Sequence, residues 1–328
     1  MKKKLLAGII ISALLVYLSV RGIRFADVRA AFQSVRPGYA AMAMLMMVIT
    51  QLLRSVRWGV ILRPLEKISQ LTLFAVTSVG FLAIVSIPAR IGELARPFLL
   101  SRKSSLSMSA ALGTIVIERV FDSLAVLLIF ALTFLWMPFP AWVVNSGILF
   151  LGLTLMLIAV IALFLVKKEW GFRLAGPLLR RVPERHQPRL AHFMDQFISS
   201  FATMSDPWRL SGLFAFSIFI WVTNSITIFL MFGAFGLKLS YLAAVVTLVI
   251  LLIGIAIPAA PGFIGNWHFA CVLALGLFGI NKAEALTYAI VYHFLSIVVV
   301  LVLGLAFLPL NRFSMADLRK ALPERPSA

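Results

Sequence analysis

Six charged residues lie within or beside hydrophobic runs. Arg90, Glu93 and Arg96 follow one another at i, i+3 and i+6, and Glu118, Arg119 and Asp122 occupy one turn of a second run. In a helix the first three share a stripe, and Glu118 and Asp122 lie one turn apart. A central Arg, Lys or Asp costs about 2.5–3.5 kcal/mol on insertion scales, so such residues pair with one another or serve a purpose. The six charges cancel, as mutual pairing requires. Two readings of Arg90 and Arg96 stand side by side. One is capture of a phosphate, which the planar guanidinium fork suits. The other is ion pairing with Glu118 and Asp122, bracing one segment against its neighbour. Glu93 either takes up and releases a proton or neutralises an arginine.

Chain-breaking residues accompany these charges. Pro88 and Gly92 interrupt the end of one apolar run, and Pro261, Gly262 and Gly265 interrupt another; Pro88-x-x-x-Gly92 matches Pro261-x-x-x-Gly265. Broken helix at membrane depth is tolerated where it lines protein or a water-filled cavity, and breaks at corresponding places in two halves point to a transporter binding site. The polar candidates near the second break are Asn266 and His268, with Tyr292 and His293 on the last apolar run. An intramembrane histidine relays protons, binds a substrate oxygen or bonds within a helix interface. Asn224 reads as interhelical glue. Arg54, Arg57 and Trp58 read as snorkelling residues where a helix meets the interface.

The elements that position these residues follow from composition. Of 328 residues, 62% are hydrophobic and 13% charged, more apolar surface than a soluble domain of this length buries. The fold class is all-α and polytopic. Runs over 112–136, 143–166, 210–235, 241–257 and 285–308 approach or meet the length of about 20 apolar residues that a bilayer demands. Those over 5–20, 39–53 and 71–87 are shorter, and 267–280 is too short to span untilted. The charged start, Met1 to Lys4, resembles a signal peptide, but Arg21 and Arg24 follow the apolar run, so it reads as a retained first helix.

The net charge of +18 gathers between the runs, which points to anionic lipid headgroups rather than nucleic acid. The positive-inside rule puts Lys2 to Lys4, a 54–69 loop, a 167–209 loop and the tail after 312 in the cytoplasm, and the uncharged 136–142 tract outside. The apolar segment in 71–103 lies between two basic loops, and a re-entrant course removes the conflict. The working arrangement is six crossings with an inverted pair of re-entrant hairpins; the alternative is eight crossings with one. Both place the two termini inside a prokaryotic plasma membrane. Residues 1–312 form one transmembrane domain, and 313–328 a short tail. Within 167–209, Leu174, Leu178 and Leu179, then Phe193, Phe197 and Phe201, have helical spacing and predict amphipathic helices on the inner surface, for lipid anchoring or for docking a lipid substrate or partner enzyme. The single cysteine, Cys271, reads as a packing residue. No Walker A, His-Glu-x-x-His, Cys-x-x-Cys or Gly-x-Ser-x-Gly occurs, so ATP hydrolysis, metal and serine hydrolase chemistry have no support.

Three stretches taken together, Pro88-Ala89-Arg90-Ile91-Gly92-Glu93-Leu94-Ala95-Arg96, Glu118-Arg119-Val120-Phe121-Asp122 and Pro261-Gly262-Phe263-Ile264-Gly265, resemble the recurring motifs of the lysylphosphatidylglycerol synthase transmembrane, flippase-like (UPF0104) family. The likeness covers roughly residues 5–310. Members commonly carry glutamate three residues after the last glycine, where this chain has His268. The synthases add a cytoplasmic aminoacyl-transfer domain, and about 18 residues after the last apolar run leave no room for one. The resemblance therefore implies lipid translocation or handling without the synthase reaction and without a cofactor, on an anionic phospholipid or a polyprenyl- or hopanoid-type intermediate. A glycosyltransferase or lipid-synthesis enzyme is the implied partner. Two competing readings are a membrane-embedded lipid-modifying transferase and a non-catalytic scaffold for a glycosyltransferase.

Overall fold

The computed structural model describes residues 14, 16–19, 21, 33, 35–86, 92–166, 187–201, 206–256 and 260–309. Pro88, Ala89, Arg90 and Ile91, residues 167–186 and the tail after 309 lie outside the described residues, as do the leucines expected on one face at 174–179.

Among the described residues the regular structure is helical. We number the helices α1 (Pro37–Leu62), α2 (Gln70–Ser86), α3 (Ala95–Ser101), α4 (Met108–Trp136), α5 (Ala141–Val166), α6 (Gln187–Ser199), α7 (Pro207–Ala234), α8 (Tyr241–Ala256), α9 (Asn266–Gly276) and α10 (Lys282–Phe307). The starts have local causes. Pro37 and Pro207 open α1 and α7, where a missing N–H costs nothing. Ser107 accepts from Ala110 N–H at 3.1 Å, and Asn281 Oδ1 accepts from Glu284 N–H at 2.9 Å; such caps satisfy the orphan donors of α4 and α10. The Ser107 cap explains why α4 begins at Met108, ahead of the apolar run itself.

Helices α1, α5, α7 and α10 are long and apolar enough to cross a membrane. At 29 residues α4 is about 43 Å long at 1.5 Å per residue, sufficient by length alone. α1 and α7 run antiparallel: Arg36 N–H reaches the Ala234 carbonyl at 2.7 Å at one end of the bundle, and Ile61 and Leu213 share a cluster with Ile117, Phe121 and Phe201 toward the other. α5 packs beside α4, and Ile148, Leu149 and Met156 on it are each about three-fifths exposed, so its apolar surface is left for lipid.

The two broken runs fold back as hairpins. In the first, a Cβ added at Gly80 would strike the Arg96 side chain, and one at Gly92 would strike the backbone of Ala83 and Ile84, so α3 returns along α2. In the second, a Cβ at Gly254 would lie 2.6 Å from Ala270 Cβ, and Asn266 Nδ2 donates to the Gly254 carbonyl at 3.0 Å; α9 returns along α8. The touching pairs Gly80/Arg96 and Gly254/Ala270 have the same sequence separation, one residue out of register with the proline–glycine repeat.

The hairpins enter from opposite ends. The start of α2 lies with the end of α10, where Phe74 and Phe307 meet edge to face at 5.2 Å, whereas α8 follows the end of α7, with Tyr241 against Phe229 at 5.8 Å. Their tips meet: a Cβ on Gly262 would be 3.8 Å from Val85 Cγ1 and 3.9 Å from Ile297 Cδ1.

Two expectations change, those for α1 and for Asn224, and two gain detail. α1 does not stop near 53 but continues to Leu62, so Arg54, Arg57 and Trp58 are inside a helix; Arg57 and Trp58 are fully buried, and snorkelling does not describe them. Only 63–69 connects α1 to α2. Residues 267–280 contain the short α9, the second arm of a hairpin. Asn224 donates to the Ile220 carbonyl of its own helix at 2.8 Å rather than across an interface. Finally, α6 is docked on α4: Ser109 Oγ donates to Gln196 Oε1 at 3.1 Å, Phe201 is buried, and Gly113 leaves room for Phe197 and Ser200.

Candidate functional site

The carboxylates of α4 anchor a buried knot of charge. Arg57 Nη1 and Nη2 donate to Asp122 Oδ1 and Oδ2 at 2.5 and 3.1 Å, and Nη1 also donates to Ser217 Oγ at 2.7 Å. Arg96 forms a second fork, its Nη1 and Nη2 donating to Glu118 Oε1 and Oε2 at 2.9 and 3.1 Å. Arg57 Nη2 is 3.4 Å from Glu118 Oε1, which joins the forks. Bidentate Arg–carboxylate pairs are the strongest ion pairs available, and pairing is what makes these charges tolerable at depth.

Aromatic and hydroxyl groups complete the knot. Trp221 Nε1 donates to Asp122 Oδ1 at 3.2 Å. The Arg96 guanidinium lies 4.3 Å from the centre of the Trp58 ring, whose Nε1 donates to Thr114 Oγ1 at 3.0 Å. Backbone geometry makes this approach feasible: Arg96 crosses α2 at Gly80, where a methyl group would block it. Arg119, on the outer face of α4, is 45% exposed and only 3.7 Å from Glu118 Oε1. Glu93 is half-buried and forms no ion pair with a described residue.

Beside the knot is a cavity of about 150 Å³ at mid-length of α1, α7 and α10. Its polar lining includes Gln51, Arg54, Ser78, Asn224, Trp267 and Tyr292, and no Asp or Glu contributes. The Arg54 guanidinium lies 5.2 Å from the Phe81 ring and 5.7 Å from the Trp221 ring. Aromatic faces stabilise a cation without neutralising it. No described residue forms a hydrogen bond or ion pair with Arg54.

The second break builds one wall. Gly262 and Gly265 have φ +68° and +92°, the region that glycine enters freely. The turn they make starts α9 at Asn266 and places Trp267 on the cavity. Trp267 stacks on His293 at 5.0 Å and 13° and lies 5.2 Å from the Tyr292 ring. His268 Nδ1 accepts from Gly265 N–H at 3.4 Å, and its ring meets His293 edge-on at 5.0 Å. Asn266 fastens the hairpin arms through Gly254.

The structure thus brings Arg96, Glu118 and Asp122 into one cluster, leaves Arg119 at its edge, and places Asn266 and His268 at the other hairpin. The sequence reading missed the two residues of α1 that matter most here, Arg54 and Arg57, and also Trp221, Ser217 and Trp267. A signal was present. Thr50, Gln51, Arg54, Arg57 and Trp58 recur at spacings of three and four, which in a helix running on to Leu62 makes a polar stripe facing the bundle. No group of three or more His, Cys, Asp or Glu suited to a metal occurs among the described residues.

Known proteins resemble this chain in sequence. A UPF0104 membrane protein from Methanothermobacter thermautotrophicus is 26% identical over 313 residues, covering 89% of this chain and 90% of that protein. A second UPF0104 membrane protein, from Methanocaldococcus jannaschii, is 25% identical over 219 residues, covering 66% of this chain and 89% of its own length. The family described as Lysylphosphatidylglycerol synthase TM region matches residues 5–304. With nearly the whole bundle inside that match, the chain is an integral membrane protein of the lysylphosphatidylglycerol synthase TM-region family.

Proposed function

We propose that the protein moves an anionic phospholipid or a lipid-linked intermediate between leaflets of a prokaryotic plasma membrane. The observation that carries this reading is the pair of broken hairpins that enter the bundle from opposite ends and meet at Val85 and Gly262, next to a polar cavity at mid-length. In this reading both hairpins are re-entrant, α1, α4, α5, α7 and α10 cross together with a helix near the N-terminus, and both termini are cytoplasmic. The basic stretch 167–209 faces the same compartment, beside anionic headgroups or a lipid-synthesis partner.

Opposed broken segments suit translocation because they concentrate exposed backbone and polar side chains at one depth, where a headgroup must be carried through hydrocarbon. The Arg57–Asp122 and Arg96–Glu118 forks act as a fixed brace tying α1, α3 and α4 together around that depth. Glu93, half-buried beside the first break, is a further charge available to the path. Arg90 belongs to the same break by sequence and is a second candidate for headgroup contact.

The test is reconstitution into liposomes carrying a fluorescent phosphatidylglycerol or a short-chain polyprenyl phosphate, with dithionite quenching of the outer leaflet. The proposal expects protein-dependent redistribution of at least one of these lipids without chemical change, lost in an Arg57→Met, Asp122→Leu double variant that inserts normally. Unaltered leaflet distribution with both lipids, or a chemically converted product, overturns it.

A further inference from the structure

We propose that the cavity between α1, α2, α7, α9 and α10 is an oxyanion-binding subsite, in which the Arg54 guanidinium, the Trp267 indole N–H and the Ser78 hydroxyl hold a phosphate group. The inference rests on the translocation reading only for the source of that phosphate; the subsite itself follows from the cavity.

Three groups in one wall lack partners. Arg54 has the faces of Phe81 and Trp221 against it and feels the Asp122 carboxylate only through space, with no hydrogen bond or ion pair to a described residue. Trp267 Nε1 and Ser78 Oγ are buried atoms without a hydrogen-bond partner among the described residues, and Ser78 is 1% exposed. Buried polar atoms in native proteins are almost always satisfied, so two orphans on the wall of one cavity require an explanation. All three groups donate. An acceptor with several oxygens satisfies them together, whereas a cation is repelled by Arg54 and an apolar guest satisfies none.

The surrounding charge selects the same class. The lining includes no carboxylate. Asp122, the carboxylate that shares Trp221 with Arg54, is already engaged by both terminal nitrogens of Arg57 and by the Trp221 indole. Arg54 therefore leaves the cavity positive, in surroundings of low dielectric where an anion is attracted strongly. Tyr292 and Gln51 add polar atoms to the wall. The volume of about 150 Å³ holds several waters, enough room for a phosphate-sized group.

Contrast with the neighbouring arginines sharpens the assignment. Arg57 and Arg96 each grip a carboxylate bidentately, which occupies the face a phosphate needs. Arg54 keeps that face open. Trp267 is supplied by the second hairpin and Ser78 by the first, so one bound oxyanion touches both hairpins and the crossing helix α1.

The experiment is thermal unfolding of the purified full chain in detergent, titrated separately with inorganic phosphate and with dihexanoyl phosphatidylglycerol below its micellar concentration, for wild type, Arg54→Gln, Trp267→Phe and Arg119→Gln, with Arg96→Met measured without ligand. Saturable stabilisation of wild type is expected with at least one probe, and stabilisation by the lipid alone assigns the phosphate to a headgroup, by phosphate alone to a soluble anion. Arg54→Gln weakens apparent affinity about tenfold or more, the loss of a charge-assisted bond; Trp267→Phe weakens it less, and Arg119→Gln leaves it unchanged. Without ligand, Arg54→Gln unfolds at or above the wild-type temperature, because a half-buried charge with no ion-pair partner has been removed. No stabilisation of wild type by either probe, equal affinity in Arg54→Gln, or a ligand-free Arg54→Gln as unstable as Arg96→Met overturns the subsite. Because binding is read without transport, wild type that binds but fails to redistribute lipid sinks only the translocation reading, and wild type that redistributes lipid while Arg54→Gln binds normally sinks only the subsite.

Discussion

Val85, at the end of α2, and Gly262, in the turn before α9, face each other where the two hairpins meet, with Ile297 of α10 alongside. Space there is ordinary: an added Cβ meets those side chains at 3.8–3.9 Å. Conformation is not, since Gly262 has φ +68°. Gly262→Ala is therefore expected to cost about 1–2 kcal/mol through the left-handed backbone alone, and Gly262→Asn less, because asparagine tolerates that region. Thermal unfolding in detergent ranks the two; equal losses would mean that crowding, not backbone angle, governs the site.

The Arg96–Glu118 fork predicts a sign pattern. Arg96→Met leaves Glu118 facing Arg57 at 3.4 Å as its nearest remaining counter-charge, and a broken buried pair costs about 3–5 kcal/mol. Arg96→Met with Glu118→Leu removes both charges while Arg57 keeps Asp122, so the double variant is more stable than Arg96→Met alone. A double-mutant cycle on unfolding free energies measures the coupling.

At Gly113, α4 admits α6. A Cβ there would strike Ser200 Oγ and approach the Phe197 carbonyl to 2.9 Å, so Gly113→Leu should detach α6 while leaving the crossing helices in place. Limited proteolysis reads the outcome as faster cleavage within 187–201 at an unchanged helical signal. An unaltered cleavage rate would show that α6 is held by something other than this contact.

Cys271, the only cysteine, is fully buried on α9 in the cluster shared with α8 and α10. Maleimide is expected to label it only when the hairpin opens or the protein unfolds. Its labelling rate then reports opening of the second hairpin; fast labelling of the native protein would place α9 away from α8.

The apolar runs and the proline–glycine interruptions are legible because each depends on local chemistry: run length and the positions of proline and glycine. Pairing was less legible. Asp122 reads equally well as a partner for Arg90 or Arg96, and the partner it takes is Arg57, 65 residues earlier. Two basic residues close to the expected end of a helix look like interface anchors until one notices that Val60, Ile61 and Leu62 carry the apolar character onward. Trp267 is illegible for a similar reason: nothing in the sequence marks an indole between Asn266 and His268, and only the cavity reveals that its N–H lacks a partner among the described residues.

The equal spacing of Gly80/Arg96 and Gly254/Ala270 has a last consequence. Two hairpins of one design, inserted head to head, would give a molecule whose faces are interchangeable. At the matched position one hairpin bears a guanidinium locked to Glu118 and the other bears a methyl group. The architecture is nearly palindromic, and the electrostatics are not. One arm is ion-locked and the other is held mainly by apolar packing, so the two ends of the bundle differ in rigidity although their backbones correspond.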